Sequence, residues 1–96
     1  MSTPDTTDNI YSKEETLQAF GGGTIVLAPG DVVEVYIVTD NNLPVYEATH
    51  TIRHMWRTGN YGNQTHIAIS TANNGLFVTP INPQDDTYHR QFKKVS

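Results

Sequence analysis

The 96-residue chain has no cysteine. That excludes disulfides, thiolate metal sites, iron–sulfur clusters and cysteine nucleophiles. No apolar run approaches the roughly 20 residues that a membrane-spanning helix needs. Basic residues are scarce in the first half. Residues 1–52 hold eight of the ten acids and a single base, Lys13, whereas residues 53–96 hold five of the six bases. The net charge of −4 disfavours a generic nucleic-acid binder. The uneven distribution reads first as solvated surface, and second as a dipolar molecule that self-associates or docks on a charged partner. The opening residues, MSTPDTTDN, are polar and acidic and do not read as a signal peptide. A cytoplasmic or virion-associated protein with no membrane contact is expected. A chain this short buries a limited core, so stability is marginal unless it oligomerises.

What is present reads as a polar arm over residues 1–11 and one domain over residues 12–96. Ser12 and Glu15 have capping-box spacing, which predicts a short N-terminal helix. Leu17 and Phe20 would point inward from it, and Gly21-Gly22-Gly23 would stop it. Beyond Thr24 the pattern is β. TIVL precedes the turn Pro29-Gly30-Asp31, and VVEVYIV places Val33, Val35 and Ile37 on one face. Residues 43–50 read equally as loop or strand. IRHMWR and THIAIS are strands, the latter with Ile67 and Ile69 inward, and Asn73-Asn74-Gly75 is a hairpin turn. LFVTPI and TYHRQF complete the series. Short strands at this spacing predict an all-β sandwich or barrel.

Several of these segments resemble immunoglobulin-like domains, including fibronectin type III relatives. Leu76, Val78 and Ile81 look like the inward positions of strand E. Asp85 looks like part of the following turn, and Tyr88 like the corner tyrosine that opens strand F. Ala28-Pro29-Gly30-Asp31 before VVEVYIV is similar to the turn into strand B, and Trp56 to the core tryptophan of strand C. The likeness covers roughly residues 24–92 and implies a small immunoglobulin-like β-sandwich. Ile37 and Arg90 stand near the positions of the usual paired cysteines, and an inward arginine departs from the pattern. The long connection from Ile37 to Trp56 is a second departure. No segment follows strand F to serve as strand G, so the N-terminal segment fills that place or the edge is incomplete. The rival fold is an SH3-like or OB-like barrel, whose first strand GDVVEVYI also suits.

Candidate chemistry is sparse. His50 and His54 stand four apart, which on a helix would let them share one ion. On a strand they are about 13 Å apart, too far for direct co-ligation. Thr51 occupies the place of the glutamate in a zincin-like motif. His50 and His54, with His66 and His89, are therefore read as surface or hydrogen-bonded histidines, and no metal or other cofactor is expected. There is no nucleophile elbow, and Asp85-Asp86 reads as a turn. Arg57, Asn60, Tyr61 and Asn63 lie in a loop suited to protein recognition, and Arg90, Lys93 and Lys94 supply a basic tail. Trp56, Tyr88 and Asp85 are read as structural. The expectation is a non-enzymatic protein-interaction module, of a kind seen among phage or viral accessory, decoration or assembly proteins. It would act on a protein partner or on copies of itself through loops or a strand edge. A small ligand- or nucleic-acid-binding barrel using Trp56 and Tyr61 is the alternative.

Overall fold

Alternating apolar residues, punctuated by turn-forming glycine, proline and asparagine, divide this chain into extended segments. The computed structural model describes residues 11–39, 43–59, 64–82 and 89–95. Within them lie strands β1 (Glu15–Gln18), β2 (Thr24–Leu27), β3 (Val32–Val38), β4 (Pro44–Thr58), β5 (His66–Thr71), β6 (Leu76–Pro80) and β7 (His89–Lys94). The structure is all-β with two sheets. β1 and β2 form a hairpin, and the other five strands follow the order β6-β5-β4-β3-β7. Every strand pairing in both sheets is antiparallel.

β4 organises the larger sheet. Residues 44–51 pair with β3, and residues 52–58 pair with β5. Two register shifts interrupt it, with Glu47 and Arg53 as the extra residues. A bulge bends its strand and, because side chains alternate with period two, exchanges which parity faces the core. Ala48, His50 and Ile52 thus share a parity before the second bulge, while Met55 takes the buried position after it.

The core joins Leu17 and Leu27 of the hairpin to Val33, Val35, Ile52, Met55, Ile67, Ile69 and Phe92 of the large sheet. Each such side chain contributes about 1.5–3 kcal/mol on full burial. The outer strands of the large sheet, β6 and β7, meet at Arg90. The Arg90 amide donates to Thr79 Oγ1 at 3.3 Å, and its Nη1 donates to the Val78 carbonyl at 3.2 Å. The guanidinium also lies 4.9 Å from the centre of the Phe77 ring. The sheet therefore curls until its ends touch.

The N-terminal helix is not formed. Ser12 and Glu15 do interact, at 2.5 Å, but side chain to side chain ahead of a strand. Glu15 and Leu17 are both buried, which is the period of a strand. A segment this short gains little from helical nucleation, whereas pairing with β2 supplies a ladder of backbone bonds. Gly21, Gly22 and Gly23 have φ of 87°, 115° and 75°, so they reverse the chain between β1 and β2 instead of stopping a helix. Phe20, expected inside, is 41% exposed.

Two further expectations change. Leu76 and Val78 face outward, while Phe77 packs against the core and Thr79 is buried. The register gives the reason: Phe77 opposes Ile69 and Thr79 opposes Ile67, and cross-strand partners share a face. Ile67 and Ile69 are buried as read, and Ile81 packs against the core. The strand order also departs from the immunoglobulin layout, in which strand B neighbours strand E. Here β3 lies between β4 and β7, and β6 is elsewhere in the sheet. Ile37 and Arg90 are adjacent, but as cross-strand partners within one sheet. The place after strand F is taken in part by the N-terminal segment: Ala19 bridges Phe92 in parallel, and the Phe20 amide donates to the Phe92 carbonyl at 2.9 Å. Residues 1–10 of the arm, with Asp85 and Tyr88, lie outside the described residues.

Candidate functional site

The charged residues come first, because folding rearranges them most. Arg57 Nη2 meets Glu15 Oε1 at 3.2 Å, Arg90 Nε meets Glu47 Oε1 at 3.1 Å, and Lys94 Nζ meets Asp31 Oδ1 at 3.5 Å. Each pair joins an acid from residues 1–52 to a base from residues 53–96. The charge asymmetry of the sequence is thus partly cancelled inside the molecule, which weakens the dipolar reading. Lys93 lies opposite Glu34 in the β3–β7 register.

The pairs differ in weight. The Arg90 side chain is only 13% exposed and meets Glu47 of β4 and Val78 and Phe77 of β6, so it ties β7 to both strands. The sequence suggests it as a binding residue; in the fold its side chain packs against Glu47, Val78 and Phe77. The Arg57 side chain is half exposed, and its bonds to Glu15 run from 3.2 to 3.4 Å. Such a pair adds little by its charge alone. Its larger effect is to satisfy a carboxylate that β1 carries inward. Asn60, Tyr61 and Asn63 lie outside the described residues.

The histidines do not converge. His50 packs against Phe77, with ring centres 6.0 Å apart, whereas His54 stacks on Tyr11 at 4.2 Å and 11°. The bulge at Arg53 puts them on opposite faces of β4, His50 on the face of Ile52 and His54 on the face away from Met55. His66 Nδ1 is 2.8 Å from Thr65 Oγ1, and His89 lies on β7 opposite Val38. Among the described residues, no three His, Asp or Glu side chains gather as metal ligands would. Trp56 is not in the core. It is half-buried beside Tyr11, with ring centres 5.5 Å apart, because Met55 takes the inward position. Tyr11, His54 and Trp56 form a self-contained aromatic cluster.

A different region emerges on the first half of β4. One edge of residues 44–50 pairs with β3. Among the described residues no strand pairs with the other edge, since the β5 ladder begins only at Ile52. The last bond on that side runs from the Ala72 amide to the Thr51 carbonyl at 3.0 Å. There the edge opens into a shallow recess of about 200 Å³, lined by Thr49, His50, Thr51, Ala72 and Asn73. Leu43 and Val45 are each 62% exposed, and Tyr46 is 53% exposed.

Tyr46 also ends an aromatic stripe. Phe20 lies 4.1 Å from Tyr36, and Tyr36 lies 5.8 Å from Tyr46 in an edge-on arrangement at 73°. The Tyr36 hydroxyl donates to Glu34 Oε1 at 3.0 Å. Partial loss of water around Tyr36, and then the bond to and charge of Glu34, raise its hydroxyl above the usual tyrosine value. It therefore remains a donor at neutral pH. The Tyr46 hydroxyl lies 2.7 Å from Thr49 Oγ1.

Sequence reasoning missed this edge because residues 43–50 carry no clear period. The exposed alternation of Glu34 and Tyr36 was legible. Only the cross-strand register puts Tyr46 beside Tyr36.

No protein-family model, no curated protein and no solved structure matches this chain. The functional reading therefore rests on the geometry of the molecule.

Proposed function

We propose that the chain is a non-enzymatic protein-interaction module that engages an extended polypeptide along the free edge of β4. The carrying observation is the edge itself: among the described residues, 44–50 pair along one side only, interrupted by the bulge at Glu47, and Leu43, Val45 and Tyr46 are exposed beside it. Unpaired backbone groups accept an added strand, and alternating side chains beside them supply selectivity. A lysine would blunt such an edge, and residues 43–51 contain none. The fold reading that accompanies this is a small SH3-like or OB-like barrel. Its support is the sheet bent along β4 and joined end to end through Arg90. That fold class does not by itself name a function.

The test is selection of peptides from a displayed random library, with binding then compared in two edge variants, Val45→Pro and Tyr46→Lys. The reading expects enriched peptides of alternating apolar character that lose binding to both variants while the variants keep the wild-type melting temperature. Binding that survives both substitutions would remove the edge from consideration.

A further inference from the structure

The geometry of the β4 edge points to a particular partner, and we propose that it is a second copy of this chain. This rests on the edge-recognition reading above. The inferred assembly is a two-fold dimer in which the two β4 edges pair antiparallel, with Tyr46 opposite Tyr46 of the other copy.

Three observations select a copy over an unrelated strand. The first is continuity. Phe20, Tyr36 and Tyr46 form a stripe that stops at the free edge with its outermost ring half exposed. Pairing centred on Tyr46 brings the two stripes together, so the rings run without interruption from one copy to the other. Aromatic rings at such spacings attract beyond their burial alone.

The second is self-complementarity along the edge. In that register, counted through the bulge at Glu47, Leu43 of one copy lies opposite His50 of the other, at the recess bounded by Thr49, His50, Thr51, Ala72 and Asn73. The exposed leucine and the recess lie at opposite ends of the same edge. A two-fold axis between them makes each leucine meet the recess of its mate, which is the condition for a closed isologous contact.

The third is charge. Glu47 is the only charged side chain in residues 43–51, and Arg90 already neutralises it at 3.1 Å. In the proposed register Glu47 is the bulged residue of each edge and opposes no charged side chain, so two copies of the edge bring no like charges face to face. Oligomerisation is also one of the ways in which a domain of this size escapes marginal stability.

The absence of cysteine provides a clean test. In an antiparallel pair, opposed residues have Cα atoms about 4.5–5.5 Å apart, within the range a disulfide spans. The Tyr46→Cys variant is therefore expected to form a disulfide-linked dimer on mild oxidation. A Leu76→Cys control, equally exposed but on β6, should do so at least about tenfold more slowly, because only the first pair is held at high local concentration. Sedimentation of the wild-type chain should show a concentration-dependent dimer, and Tyr46→Lys should be monomeric with unchanged circular dichroism. A wild-type chain that stays monomeric at millimolar concentration, with equal cross-linking rates for the two cysteine variants, would overturn the proposal. Were library peptides still to bind at the edge in that case, the interaction-module reading would stand and only self-pairing would fall.

Discussion

The two halves of β4 share one strand and little else. Residues 52–58 pair with β5 along one edge, bond on the other through Ile52 to Gly30 and Asp31 and through Met55 to Ser12, and place Ile52 and Met55 in the core. Residues 44–50 have a partner on one side and leave Val45 and Tyr46 largely in solvent. Both halves are rich in residues that suit strands, so propensity does not separate them. The difference lies in what surrounds them: one half packs Ile52 and Met55 into the core, and the other carries Val45 and Tyr46 out into solvent. Bonds on both edges and a buried face tie residues 52–58 into the core, whereas residues 44–50 leave one edge without a strand partner among the described residues.

Five substitutions would break or sharpen that contrast. Met55→Ala should have the largest effect, a loss of about 2–5 kcal/mol in denaturant unfolding, because it opens a cavity in a fully buried position. The matching change on the other half, Val45→Ala, should stay within about 0.5 kcal/mol. Equal effects would erase the distinction between the halves. Next is Arg90→Met, expected to cost about 1.5–3 kcal/mol through loss of charged hydrogen bonds at the β6–β7 seam. Hydrogen exchange should show β6 amides opening more readily than those of β3; no change in β6 would mean that the seam does not hold the sheet closed.

Gly75→Ala probes the turn between β5 and β6, against which the recess is built. A Cβ there would sit 2.6 Å from Thr71 Oγ1, the atom that accepts the Gly75 amide. A loss of about 1–3 kcal/mol in thermal or chemical unfolding is expected from this crowding. The smallest effect concerns Tyr36. Its raised value means that folding favours the protonated hydroxyl, so the associated stability is intact below the unfolded value near 10 and declines as pH rises through the folded one. Ultraviolet titration should show a late-ionising tyrosine that Tyr36→Phe removes. Titration of all tyrosines together near pH 10 would count against the Glu34 bond.

Local chemistry made much of this molecule legible. Val33 and Val35 were inward by alternation, Ile67 and Ile69 likewise, and Asn73-Asn74-Gly75 forms its turn with Asn74 at φ 68°. These features depend on a few neighbouring residues. The failures share a different cause. At the N-terminus, Ser12, Glu15, Leu17 and Phe20 fit a helix start as well as a strand, and only distant Arg57, β2 and β7 decide between them. Trp56 reads as core until the Arg53 bulge changes which face is buried. Leu76 and Val78 read as inward until their pairing with β5 fixes the opposite parity.

The sequence by itself determined the extended character of the chain, most of its turns and the exclusion of thiol chemistry, because backbone sterics, side-chain alternation and composition act locally. Tertiary structure decided which face of each strand is buried, which charges cancel and which strand edge is left unpaired. Those depend on register, and a register is a relation between segments that no single segment encodes.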